Sequence, residues 1–249
     1  MEFDADPLLA RFVARRKRFF ADVELADGSP LTAHCANTGS LLGCLAPGSR
    51  VWLRDSGKPE RQLRYTWQAI EIAGTWVHVD TSLPNRVVAE AVSAGRVPEL
   101  ADYATLRREV AYGKNSRIDL LLEDPERGSC HVEVKCTTYA VGDCAQFPDA
   151  PTERGTKHLA ELARLARAGR RAVQFFFVAR TDVTHFRPAD AIDPDYARAL
   201  RRAAKAGVEL LAYTTRVEPR HLELLAPLPI ELGPAPRVPR RARSTSGNP

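Results

Sequence analysis

The sequence has no apolar run approaching the roughly 20 residues that a helix needs to cross a bilayer, so no membrane association is expected. Its opening, MEFDADPLLARF, lacks the apolar core and small-residue cleavage site of a secretory signal. Cysteine is scarce. The five present are an odd number and form no CxxC pair, which excludes a disulfide scaffold and leads us to expect reduced thiols in the cytoplasm. Cys130, His131, Cys136 and Cys144 lie close together, but their spacing fits no paired zinc site, and they read as buried thiols. A Gly-rich phosphate loop is missing, since GKN at 113–115 lacks the rest of one, and so are a GxSxG elbow and any internal repeat.

A broad excess of charge is missing too. The net charge is +5, yet the stretch from residue 233 onward carries four arginines and no acid. Residues 1–80 hold ten basic and ten acidic side chains, so the body of the protein is close to neutral. Any basic surface must come from local clustering.

What is present divides in two. Residues 1–82 read as short strands with Gly and Pro punctuation, such as DGSP at 27–30, and predict a small β-barrel or sandwich; an OB-type β-barrel of five strands fits the length, with nucleic acid as its expected ligand. At 82–88, SLPNRVV marks a boundary, with Pro84 ending the extended region and Asn85 placed to cap a helix over 85–95. Residues 83–232 then show three strands, ATLRREVAYG, SRIDLLLED and SCHVEVKCTTYA. After them come a helix opened by Thr152 and closed by Gly169, the strand RAVQFFFVAR, the helix PDYARALRRAAKAG and the strand VELLAYTTRV. This order predicts an α+β, mixed-sheet domain with helices on its faces. Residues 233–249 predict a disordered basic tail.

The chemistry sits on the second and third of those strands. Side chains alternate across a strand, so Glu133 and Lys135 share one face while Val132 and Val134 point to the other. Ile118, Leu120 and Leu122 form the apolar face of the preceding strand and leave Asp119 opposite them. Pairing through the PERGS turn brings Asp119 and Glu133 together at one edge. Two carboxylates and an ammonium on apolar strands are costly unless they meet each other or a cation. Mg²⁺ (or Mn²⁺) held by the two acids, with a lysine to orient a water, suits phosphodiester hydrolysis. An ordinary salt bridge between Lys135 and one acid is the simpler alternative.

Longer motifs carry a resemblance. RRKRFFADVEL, HCANTGSLLG, APGSRVWL, RYTWQAIEI, WVHVDTSLPNRVV, SRIDLLL, HVEVKCTT and FPDAPTERGTKHLAEL resemble the sugar fermentation stimulation protein A family, over nearly the whole chain to about residue 230. That resemblance implies an OB-type domain joined to a PD-(D/E)xK nuclease-like domain, DNA binding, and control of sugar-use (maltose-type) genes. By motif, the nuclease acids fall on Asp119 and Glu133 and the lysine on Lys135. The sequence departs at Ile118, where a proline often precedes the first acid, and at His78 with Asp80, where glycine and asparagine are expected.

Further candidates surround this cluster. Glu90 occupies the place where related nucleases carry an extra acidic metal ligand, or is a solvated helix glutamate. Arg154, Lys157 and His158, in the first turns of the long helix, are placed to meet phosphate or to form a solvated face. In HCANTGS, the side chains His34, Asn37, Thr38 and Ser40 are candidate nucleic-acid contacts, with Ser40 as the N-cap of a short helix SLLGCL as the alternative. Arg15, Arg16, Lys17 and Arg18, with Arg11 beside Phe19 and Phe20, form a basic and aromatic patch suited to DNA, single- or double-stranded and with weak sequence preference, or a solvated strand face. Two functions follow: a Mg²⁺-dependent DNA endonuclease, or a non-catalytic DNA-binding regulator that retains the nuclease fold.

Overall fold

The structure, a computed structural model, describes residues 1–3, 6–112 and 116–234. The GKN of 113–115 and the expected basic tail from residue 235 onward lie outside the described residues.

The first half is built of β1 (Leu8–Arg16), β2 (Phe20–Glu24), β3 (Pro30–His34), β4 (Arg50–Asp55), β5 (Tyr65–Ile72) and β6 (Thr75–His78). The strands run in the order β3-β2-β1-β4-β5-β6, and β3 also pairs with β5 at His34 and Thr66, which closes a five-stranded barrel of OB type. Closure removes the exposed strand edges. Inside, Phe12 stacks on Trp67 with ring centroids 5.0 Å apart, packed with Val51, Leu53 and Ile70. The β1–β2 hairpin turns through Lys17 and Arg18 at φ 49° and 63°, the paired left-handed residues that match strand twist in a tight hairpin.

The second half contains α1 (Pro84–Ser93), β7 (Thr105–Tyr112), β8 (Ser116–Asp124), β9 (Gly128–Thr137), β10 (Ala140–Val141), β11 (Cys144–Phe147), α2 (Glu153–Arg167), β12 (Arg171–Val178), β13 (His185–Pro188), α3 (Pro194–Lys205), β14 (Glu209–Glu218) and β15 (His221–Pro227). The main sheet runs β15-β14-β12-β9-β8-β7, parallel across β9, β12 and β14 and antiparallel outside them. A central parallel strand is covered on both faces, which is why RAVQFFFV is almost continuously apolar. Val132, Val173, Phe175 and Phe177 pack toward α1 and the barrel residue Trp52. Phe176, Val178, Leu159, Leu162 and Leu200 pack on the other face, with α2 and α3. Helix α2 begins as expected, with the Thr152 hydroxyl accepting the Gly155 N–H at 3.0 Å, and Gly169 follows it at φ 76°.

Several local expectations are corrected. Asn85 does not cap α1: the cap residue is Leu83, Pro84 is the first helical residue, and the Asn85 amide turns to Asp119 instead. Ser40 starts no helix: its hydroxyl accepts the Leu42 N–H at 3.1 Å and donates to the Asp149 carbonyl across the two halves. Ile118 leaves the face of Leu120 and Leu122 and packs with Leu121 and α2, so strict alternation breaks beside Asp119. At the expected boundary, Arg201 donates to the carbonyls of Leu232 and Gly233. Strand β15 and the small sheet β10-β11-β13 have too few residues or too weak an alternation to stand out in the sequence. Among the described residues, no helix is long and apolar enough to cross a membrane.

Candidate functional site

A cleft of about 710 Å³ opens between the barrel turn at 37–40, the strands β8 and β9, and the start of α2. It contains Asp119, Glu133, Lys135, Arg154 and His158. The β8–β9 ladder ends at the pair Leu120 and Val132. Beyond that point β8 no longer supplies a backbone acceptor, and the Asp119 carboxylate accepts the Val134 N–H at 2.8 Å. Its other oxygen accepts from the Asn85 amide at 2.8 Å. Asp119 is thereby tied to the strand that carries Glu133 and Lys135.

Glu133 is buried, at 3% exposure. Its Oε1 accepts from Lys135 Nζ and meets His158 Nδ1, while Lys135 Nζ lies 3.2 Å from that same imidazole nitrogen. Among the described residues, every hydrogen bond to the Glu133 carboxylate falls on Oε1, which leaves Oε2 for a ligand. Burial alone would raise the Glu133 pKa, but His158 and Lys135 outweigh it and hold the group below the ordinary glutamate value. Asp119 behaves oppositely. Burial first, and then the Glu133 charge, push its pKa up against the opposing pull of the Val134 N–H and Lys135.

The other candidates separate. Arg154 lines the cleft, with its Nε 3.4 Å from His158 Nε2. Lys157 is exposed on α2 and does not line the cleft. Glu90 is not brought to the site either: it pairs with Arg86 one helical turn away and with the Met1 ammonium at 3.4 Å. Asn37 is buried and organises its own turn, with its amide donating to the Val79 carbonyl and its oxygen accepting the Gly39 N–H. Thr38 is exposed at the cleft wall and Ser40 is taken up by Asp149. His34 sits at the barrel seam outside this lining, where burial and then Arg61 lower its pKa.

The basic patch is largely spent. Arg15 donates to the carbonyls of Arg18, Asn37, Gly39 and Ser40, and so holds the barrel turn in shape. Arg16 forms a two-pronged pair with Asp22 and lies 5.8 Å above the Phe20 ring. Lys17 and Arg18 remain exposed at the hairpin tip, and Arg18 reaches the cleft.

Two residues that matter here were not singled out in the sequence. Asn85 read as a cap, and Asp149 as part of FPDAPTER without a role. Asp149 accepts the Leu41 N–H at 2.7 Å and, with its carbonyl on Ser40, seats the barrel turn against the cleft. Gly39 permits this approach, because a Cβ there would lie 3.0 Å from Asp149 Oδ1.

Among the described residues, no group of three or more His, Cys, Asp and Glu side chains is close enough to hold a metal unaided. The donors present are two carboxylates: Glu133, whose Oε2 takes no hydrogen bond from the described residues, and Asp119, whose two oxygens each accept one. That set fits a hard cation which completes its shell with water and phosphate oxygens, and it does not fit zinc.

Comparison with known proteins agrees with this architecture. The family model described as the sugar fermentation stimulation protein RE domain matches residues 82–221, and that of the SfsA N-terminal OB domain matches residues 13–79. A sugar fermentation stimulation protein homolog of Maricaulis maris is 52% identical over 233 residues, covering 93% of this chain and 99% of that protein. The homolog of Pelobacter propionicus is 54% identical over 227 residues, covering 91% and 98%. Among solved structures, Pyrococcus furiosus SfsA in complex with Ca²⁺ superposes with a TM-score of 0.84 at 30% identity, covering 93% of this chain and 98% of that one. Both halves and their order match, and the chain belongs to the sugar fermentation stimulation protein family.

Proposed function

We propose that the protein binds DNA and carries a PD-(D/E)xK-type, Mg²⁺-dependent site for phosphodiester hydrolysis. The observation that carries this reading is the tie between Asp119 and the Val134 N–H, which holds the half-buried Asp119, the buried Glu133 that repels it and Lys135 at one cleft. Repelling acids of this kind are stabilised when a cation lies between them. The Ca²⁺ complex of the archaeal relative supports a hard divalent cation here. Such an ion supplies activation of a water and neutralises charge growing on phosphorus. Asp119 and Glu133 hold the ion. Lys135, whose ammonium donates to Glu133 Oε1 at this site, would supply a positive charge to the attacking water or the transition-state oxygens. Arg154 and the start of α2 face the phosphate backbone.

A second reading is a DNA-binding regulator without cleavage activity. It is favoured by the way Lys135 and His158 both engage Glu133 Oε1, a self-contained ion pair that needs no metal. Incubation of plasmid and single-stranded DNA with Mg²⁺ or Mn²⁺, beside the Glu133→Ala protein, separates the two. Cleavage by the native protein and not by the variant establishes the nuclease; binding without cleavage under every metal condition establishes the regulator.

A further inference from the structure

The barrel carries a second basic hollow, about 270 Å³, lined by Arg54, Lys58, Arg61 and Thr66 and located at the β4–β5 connection. Barrels of this topology bind oligonucleotides on the face that includes this connection. Its cations differ from those of the β1–β2 hairpin. Arg15 and Arg16 are consumed by carbonyls and by Asp22. Among the described residues, no acid pairs with Lys58 or Arg61, and both are exposed. Asp55 also lines the hollow, but its carboxylate is taken by Arg64. Arg54 is held in place, 5.8 Å above the Phe3 ring and 3.9 Å from the fully buried carboxylate of Asp80.

Short stretches of chain link the hollow to the cleft. Asp80 supports Arg54 on one side, and the next residue, Thr81, lines the cleft and donates to the Ala36 carbonyl at 2.7 Å. From the other direction, Thr66 of the hollow pairs with His34, three residues before the cleft residue Asn37. The exposed Lys58 and Arg61 thus lie on the same barrel whose 37–40 turn walls the cleft.

We infer that Arg54, Lys58 and Arg61 form a phosphate-binding subsite that holds the backbone of a single DNA strand whose scissile phosphodiester lies at Asp119 and Glu133. This rests on the DNA reading proposed above and adds a path to it: one strand, two anchoring regions, with the barrel setting how many nucleotides the protein grips. Neither Lys58 nor Arg61 donates a side-chain hydrogen bond to the described fold, so removing both leaves folding intact.

The test is fluorescence anisotropy with labelled, phosphorothioate-linked oligothymidylates of about 16 and about 4 nucleotides, in Mg²⁺, with the Lys58→Ala/Arg61→Ala protein beside the native one. The double variant should bind the longer strand about tenfold more weakly. Its log–log salt slope should flatten by about 1.4, which is about 0.7 for each of two single-strand phosphates that the variant leaves unneutralised. Its affinity for the shorter strand, which cannot span both regions, should be unchanged. Equal affinity of the two proteins for the longer strand overturns the subsite alone. Failure of the native protein to bind either strand overturns the subsite, and failure on a labelled duplex as well overturns the DNA reading beneath it. A uniform loss on both strands overturns the two-region path.

Discussion

The Asp119 carboxylate accepts the backbone N–H of Val134 at 2.8 Å, the residue that lies between Glu133 and Lys135. A side chain here takes the place that a strand backbone fills one pair earlier in the ladder, at Leu120 and Val132. The consequence is that Asp119 cannot move away from Glu133 to relieve their repulsion.

Metal should relieve it. Addition of Mg²⁺ or Mn²⁺ should raise the melting temperature of the native protein, by mass action worth about 2.7 kcal/mol at a concentration a hundredfold above Kd. Asp119→Asn should abolish the rise. Calorimetry at millimolar metal that detects no binding, or a shift that survives in Asp119→Asn, would make the cluster a salt bridge.

The two acids should leave opposite marks on stability against pH. The folded state holds the Asp119 proton more tightly than the unfolded chain does, so stability from this group falls as pH rises from the ordinary carboxylate pKa to the raised folded one. Glu133 has a lowered pKa, so its contribution is present above the ordinary glutamate pKa and is lost as pH falls through the folded value. Without metal, Asp119→Asn should melt above the native protein at neutral pH, with the gap closing in acid. Glu133→Gln should melt below it, again with a gap that closes in acid. Thermal melts across pH check both signs.

Lys135 separates enzyme from scaffold. If cleavage occurs, Lys135→Ala should slow it by about 100-fold or more, while metal affinity stays the same or rises because a competing cation has left Glu133. Lys135→Arg should restore DNA binding better than turnover, since the guanidinium keeps the charge but not its shape. Single-turnover cleavage and metal titration are the measurements; full cleavage by Lys135→Ala would overturn the mechanism while leaving the fold intact.

The seat of the barrel turn should be sensitive to one methyl group. Gly39→Ala places a Cβ 3.0 Å from both Asn37 Oδ1 and Asp149 Oδ1, and should cost about 1–3 kcal/mol. If the turn forms the cleft wall, DNA affinity should fall with it. Asp149→Asn, which keeps an acceptor for the Leu41 N–H, should be milder. Chemical denaturation and anisotropy report the two effects separately.

Local periodicity decided much of this protein from the sequence alone. The alternation of VEVK put Glu133 and Lys135 on one face, the spacing of Leu159, Leu162 and Ala163 made α2 amphipathic, and Thr152 and Gly169 bounded that helix. Each depends on residues a few positions apart, where backbone geometry dictates which side chains meet. Only the tertiary structure decided which charges are spent. Arg15 and Arg16 read as a DNA-facing patch and are absorbed by the barrel, Glu90 reads as a ligand and pairs with Met1, and Asn85 reads as a cap and holds Asp119. The Leu41–Asp149 hydrogen bond joins residues 108 positions apart. No local pattern encodes such a meeting, because it arises when the barrel packs on the sheet and brings together distant polar groups that must find partners once water is excluded.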